Sequence, residues 1–205
     1  VLEATDGTVW LGTGGEVNSD GPYEGGAVQY RVSDELRVEL LSRHAPPDFP
    51  LYVNSMVQTS DGNIWLGSDQ VERYDGVTPK TEPVGSLQGT VSLAMSVDSE
   101  QTVWVAKLNY GVCRWTGIDW NVYGIKEGLP SLNLTDMILL QDGSLMVASD
   151  QGISRFDGQS WTSRAYPDPF RMLQRNSGIE QSEDGSIWVN FTGKEPHFEP
   201  YSVEK

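Results

Sequence analysis

Asp61-Gly62-Asn63-Ile64-Trp65-Leu66-Gly67-Ser68 decides the fold, because it recurs. Asp6-Gly7-Thr8-Val9-Trp10-Leu11-Gly12-Thr13 is nearly the same octet, and Asp184-Gly185-Ser186-Ile187-Trp188-Val189-Asn190-Phe191 is another. Asp142-Gly143-Ser144-Leu145-Met146-Val147-Ala148-Ser149 has methionine for tryptophan, and Glu100-Gln101-Thr102-Val103-Trp104-Val105-Ala106-Lys107 is a worn copy. The copies start at residues 6, 61, 100, 142 and 184, in steps of 55, 39, 42 and 42. A period near 40 residues with one long step marks a repeat architecture.

Asp-Gly is a turn signal, since glycine accepts positive φ at no steric cost and aspartate tolerates it. The residues that follow alternate as a strand with apolar members on both sides, so both sides are covered. Each octet is then the far arm of a hairpin whose near arm precedes it, as in Tyr52–Val57, Val91–Ser96 and Leu134–Leu139. A second signature follows in Gln70–Gly76, Gly111–Gly117 and Gly152–Gly158, and predicts a third strand ending in a glycine turn. Fourth strands are expected at Asp119–Tyr123 and Ser160–Tyr166. Four antiparallel strands per period make one blade, so the expected fold is all-β, a β-propeller of four-stranded antiparallel blades. The blades are expected at about 1–43, 50–84, 90–125, 134–166 and 176–205 of one domain. Each octet tryptophan should pack between neighbouring blades, contributing about 2–3 kcal/mol of apolar burial.

In blade 1 the strands are expected at Val1–Thr5, the octet, Ala27–Val32 and Leu36–Leu41. In blade 5, Tyr201–Val203 is at most a third strand and no fourth follows, so nineteen strands are counted where five blades need twenty. The chain therefore reads as part of a larger, seven-bladed type of propeller, or as five blades closing with an outer strand missing.

The octets and the Gly-x-x-Arg-aromatic-Asp-Gly signature resemble the two-component regulator propeller repeat. Asp6–Thr13, Asp61–Ser68 and Gly152–Gly158 match it closely, and Gly128-Leu129-Pro130 before Leu134 is similar to that family's link into the next blade. The resemblance covers nearly the whole chain. The long first step and the worn third octet depart from it. It implies the extracytoplasmic sensing part of a bacterial hybrid histidine kinase or related regulator, periplasmic or extracellular, with further domains in a longer parent chain as partners.

Composition narrows the function classes. With 29 acidic against 14 basic residues the net charge is −15, which disfavours nucleic acid, whose phosphates need a basic face. It fits either a solvated acidic surface or a cation-steering one. No stretch approaches the ~18 apolar residues of a membrane span. The single cysteine, Cys113, excludes an internal disulfide and falls where a buried strand residue is expected.

In a propeller the connections between strands two and three, and from strand four to the next strand one, share one face. Loops longer than the repeat requires lie there, at 14–26, 167–176 and 192–198, and such loops carry function. The candidate ligand-binding residues of that face are Tyr23, Tyr52, Tyr110, Asp150, Phe170, Arg171, Arg175 and His197. Aromatic planes beside carboxylates and amides suit a sugar, whose apolar face stacks while its hydroxyls take hydrogen bonds. The same aromatics could instead pack on their own blades, and the arginines could pair with surface acids rather than clamp an anion. Glu16, Asn18, Asp20 and Gly21 have part of the spacing of a calcium loop, with Glu24 at the ninth position. The twelfth position, Ala27, lacks the expected acid, so a plain glycine-rich loop is the competing reading.

The inventory for catalysis is thin. His44 and His197 are the only histidines, and neither a nucleophile elbow nor a phosphate loop is present. The tripeptides at Asn133 and Asn190 match a glycosylation pattern but fall in or beside strands. The leading expectation is a sensing or ligand-binding module for a small molecule or glycan, with a homodimer as one way to signal. A scaffold that pairs with another protein is the alternative. A polysaccharide-active hydrolase or lyase is the third.

Overall fold

The computed structural model describes residues 1–14, 25–50, 52–84, 90–166, 178–191 and 197–201, with 190–191 and 197–201 by backbone alone. The chain divides into two compact units, Val1–Ser92 and Leu93–Lys205.

The first unit holds two four-stranded antiparallel sheets. One has strands β1 (Leu2–Glu3), β2 (Thr8–Thr13), β3 (Gly26–Val32) and β4 (Val38–His44) in that order, and the other β5 (Ser55–Gln58), β6 (Ile64–Gly67), β7 (Val71–Tyr74) and β8 (Pro79–Thr81). Their facing sides share a core in which Trp10 and Ala27 meet Met56, Ile64, Leu66 and Tyr74. Gln58 at the end of β5 accepts a hydrogen bond from the Thr5 backbone at 2.7 Å, tying the turns of the two sheets together.

The second unit holds three sheets. The first is β9 (Ser92–Val97), β10 (Val103–Lys107), β11 (Gly111–Trp115) and β12 (Trp120–Tyr123). The second is β13 (Leu134–Leu139), β14 (Leu145–Ser149), β15 (Gly152–Phe156) and β16 (Trp161–Ala165). The third has β17 (Ile179–Gln181), β18 (Ile187–Phe191) and β19 (His197–Tyr201). Trp104 and Ala106 pack on Met137, Leu145 and Phe156. One layer further, Met146 and Ala148 pack on Ile179, Ile187 and Val189. Gln181 repeats the part of Gln58, accepting from the Gln141 backbone at 2.7 Å.

The octets form these hairpins for a local reason. In four of them the aspartate accepts a hydrogen bond from the backbone two residues on, at 2.9–3.1 Å, from Thr8, Asn63, Ser144 and Ser186. The glycine between them sits at φ 77° to 87°, where any other residue is strained. The glycine that opens β11 or β15 has a different cause. A Cβ on Gly111 or Gly152 would strike the backbone carbonyl of the outer strand, at Tyr123 or Arg164.

Several boundaries differ from expectation. The outer strand of the first sheet runs Val38–His44 rather than Leu36–Leu41, because Leu36, at φ 59°, closes a turn in which its N–H donates to Ser33 O at 2.8 Å. The inner strand is Leu2–Glu3 rather than Val1–Thr5, since Ala4 already accepts from Gly7 N in the turn. The last strand is His197–Tyr201 rather than Tyr201–Val203, so His197 opens a strand instead of lying in a loop. The octet tryptophans are not all alike. Trp10, Trp65 and Trp104 are 3% exposed and Met146 1%, whereas Trp188 is 39% exposed. Trp10, Trp104 and Met146 pack against the next sheet of their own unit, and among the described residues no sheet follows the one that carries Trp188.

Candidate functional site

The loop end of the second unit is where the chain leaves its repeat and where polar groups gather. β10 and β11 are joined by Leu108-Asn109-Tyr110, and β14 and β15 by Asp150-Gln151. Between the outer strand of one sheet and the inner strand of the next runs the link Gly128–Asn133. Leu129 anchors that link in the core, 2% exposed, and Gly128 turns it at φ 116°. The link is then laced to both loops. Asn109 N donates to Leu132 O at 2.9 Å, and Asp150 N donates to Asn133 O at 3.1 Å. The left-handed backbone of Asn109, φ 57°, is what turns its N–H towards the link.

Side chains complete the rim. Asn133 Nδ2 donates to Asp150 Oδ2 at 3.2 Å, and Ser131 Oγ accepts from Asn133 N at 3.0 Å. Asp150 Oδ1 is buried and has no partner among the described residues. A buried oxygen left unpaired costs about 1–3 kcal/mol. On the other loop, burial pushes the Tyr110 phenol above its ordinary pKa, with Cys113 adding to the shift. Lys107, the last residue of β10, is fully buried. Cys113 is as buried as expected. Burial pushes its thiol up to about 12, against a smaller pull down from Lys107, which leaves the thiol inert.

Asp136 is the residue that sequence reading missed. It sits at the bulge in β13, and its carboxylate accepts from Met137 N at 2.8 Å and Ile179 N at 2.9 Å. Burial pushes its pKa up. The bond to Ile179 joins two sheets, so Asp136 is part of the framework under the loops. Its only sequence signal is a charged residue inside an inner strand.

Among the expected ligand residues, Asp150 and Tyr110 fall at the loop end of the second unit. Tyr52 lies in the first unit, 45% exposed, its backbone bridged to Gly14. His197 opens β19, and only its backbone is described. Tyr23, Phe170, Arg171 and Arg175 lie outside the described residues, as do Glu16, Asn18, Asp20 and Glu24 of the calcium-loop reading. The described residues hold no group of three or more His, Cys, Asp or Glu able to take a metal. His44 is half-buried against the core of the first unit, its ring 4.9 Å from Trp10 and 4.7 Å from Phe49, and burial lowers its pKa. Among the described residues no helix is long and apolar enough to cross a membrane.

Antiparallel sheets of this form, packed face to face within each unit, have the architecture of β-propeller blades, and solved structures agree. The chain is similar to the extracellular domain assigned to a hybrid two component system of B. thetaiotaomicron, with TM-score 0.71 and 16% identity over 92% of this chain and 26% of that one. A second such domain from the same organism matches with TM-score 0.60 and 17% identity, over 89% and 24%. The virginiamycin B lyase of Staphylococcus aureus matches with TM-score 0.65 and 15% identity, over 99% and 69%. These likenesses show the fold, and the chain spans about a quarter of the two sensor domains. A family model described as two component regulator propeller matches residues 49–70, the stretch that contains the second octet. No curated protein matches the chain.

Proposed function

We propose that the chain is an extracytoplasmic ligand-sensing propeller segment of a bacterial signalling protein, and that it takes an oligosaccharide at the loop end of its sheets. The observation that carries this reading is the octet repeated five times, with the two component regulator propeller model matching the stretch of its second copy, residues 49–70. The likeness to extracellular domains of two component systems supports the class. The place of binding is supported by Asp150, whose Oδ1 has no partner among the described residues while its Oδ2 accepts from Asn133. A hydroxyl donates to such an oxygen where water or a sugar can reach it. Other domains of a longer chain would receive the signal.

The test is a glycan array probed with the folded 205-residue chain and with Asp150→Asn. Retention of one glycan class by the parent and at least about tenfold weaker retention by the variant is the expected result. Retention by neither protein, or equal retention by both, overturns the loop-end reading.

A scaffold function has one observation of its own. The hairpin tips between third and outer strands carry bare aliphatic side chains at Leu36, Val77 and Ile118, between 79% and 91% exposed. A lyase function is supported by the likeness to the Staphylococcus aureus enzyme alone.

A further inference from the structure

The third-strand arginine of the repeat occurs in three sheets, and its surroundings differ in one. Arg155 on β15 is held at both ends: its Nε donates to Ser144 Oγ at 2.8 Å and its Nη2 pairs with Asp142, both from the octet turn of the same sheet. Arg73 on β7 reaches Glu82 at 3.0 Å while lying over Trp65. Arg114 on β11 has no such anchor. Its guanidinium lies 5.4 Å from the ring centre of Trp104, its cross-strand partner. The nearest carboxylate oxygen, on Glu100, is 3.6 Å from Nη2, beyond hydrogen-bond length, and its Nε is buried with no partner among the described residues.

The cause is the worn octet. Glu100 and Gln101 stand where the other copies have Asp-Gly, and the turn is held instead by Asp98. One oxygen of Asp98 accepts from Glu100 N and Thr102 N, at 3.0 and 2.9 Å, and the other from Trp104 Nε1 at 2.9 Å. The carboxylate that would have gripped Arg114 is therefore replaced by one whose two oxygens already accept three hydrogen bonds. Glu100, freed from the turn, extends into solvent with its side chain 77% exposed. Between this turn and the next sheet lies a cavity of about 170 Å³, lined by Asp98, Glu100, Trp104, Arg114, Leu145 and Phe156 among others.

We propose that this cavity is a second binding site, at the turn end of the second unit, for a neutral polyol the size of one sugar ring. A buried N–H without a partner in a native protein calls for an explanation, and a bound molecule beside the same guanidinium is one. Arg114 offers donors held flat against Trp104, and Glu100 offers an acceptor next to them. Paired donor and acceptor match vicinal hydroxyls, each of which both gives and takes a hydrogen bond. Leu145 and Phe156 supply the apolar wall that a ring face needs. An anion fits poorly, since Asp98 and Glu100 both line the space and like charges set close cost several kcal/mol. The site is independent of the loop end: Asp150→Asn leaves it intact.

The experiment is a titration of the ¹⁵N-labelled 205-residue chain with D-glucose, D-galactose and D-xylose, followed at the Trp104 indole N–H, with D-glucuronate as the charged counterpart. The indole signal, assigned through Trp104→Phe, should move saturably with at least one neutral sugar and less with glucuronate. Glu100→Gln should weaken binding about tenfold without altering the rest of the spectrum, because the side chain it changes stands in solvent. Arg114→Met should abolish it, and if that variant does not fold, Glu100→Gln decides the matter. No saturable shift with any neutral sugar overturns the site. Tighter binding of glucuronate overturns the class of ligand, and unchanged affinity in Glu100→Gln overturns the role of the pair.

Discussion

The sheets of the second unit have two ends that obey different rules. At the turn end, one aspartate, one glycine and one backbone N–H make the same hairpin again and again, and the sequence repeats because that chemistry is local. At the loop end, Asn109, Asn133 and Asp150 come from three different connections and meet only after the sheets have stacked. Regular sequence thus marks the framework, and departures from it mark the places able to bind. The worn third octet belongs to the second kind although it lies at the first end. The same contrast divides the tryptophans: a side chain at one position in the repeat is worth what the neighbouring sheet makes of it.

The largest test of that contrast is Trp104→Ala against Trp188→Ala. Trp104 sits in the core between two sheets, on Met137 and Phe156, and donates its indole N–H to Asp98. Removing it leaves a cavity and should cost about 3–5 kcal/mol in urea unfolding. Trp188 donates likewise, to Ser182 Oγ at 3.0 Å, but one face of its ring is open. Its loss should cost about 1 kcal/mol. Equal costs would mean that the exposed ring is covered in solution, and would erase the distinction.

The turns provide the middle test. Gly143 has φ 83° with open space where a Cβ would stand, so Gly143→Ala strains the backbone alone, at about 1–2 kcal/mol. Gln101 holds the equivalent place in the worn copy at φ 63°. Gln101→Gly relieves about 1 kcal/mol of that strain and returns most of it as unfolded-chain entropy. Thermal melts should therefore separate Gly143→Ala clearly from the parent and Gln101→Gly hardly at all. A large gain from Gln101→Gly would show that the worn turn is strained beyond its φ value.

How much could be read in the chain beforehand follows from the same division. Asp142, Gly143 and Ser144 announce their turn because every partner lies within a few residues. Met146 could be placed in the tryptophan position by alignment alone. Asp98 could not be seen to replace the missing octet aspartate, since it precedes the octet and stands where the next copy has Leu140. Asp150 was legible as a loop acid, but not its partnership with Asn133, seventeen residues away on a link whose path depends on Leu129 reaching the core. Asp136 was hidden for the converse reason, being a charge in a strand whose bonding partner, Ile179, belongs to another sheet. Trp188 was misjudged because burial is a property of the neighbour and the octet carries no record of it.

The smallest effect is the pH dependence, and here the two kinds of carboxylate have opposite signs. Hydrogen bonds from Thr8, Thr59 and Ser144, each through its side chain first, hold Asp6, Asp61 and Asp142 below the ordinary carboxylate range. Their stabilisation is complete above the unfolded pKa of about 4 and is lost as the pH falls through the lower folded values. Asp136 is shifted the other way by burial. Its native form keeps a proton that the unfolded chain has already released, so stability falls as the pH rises from about 4 through its raised value. The two slopes meet near pH 4, and above it Glu72, also raised, adds to the decline while His44, whose pKa burial lowers, opposes it up to about pH 6.5. In Asp142→Asn the loss on the acid side should become shallower, because one of the carboxylates that must be protonated has been removed. In Asp136→Asn the contribution of this residue to the decline above pH 4 should be lost and the curve become shallower there, although the variant as a whole is weaker, since one amide oxygen cannot serve both Met137 N and Ile179 N. A decline that persists unchanged in Asp136→Asn would place its origin in another buried acid, of which Glu72, raised by burial and then by Asp69, is the next to test.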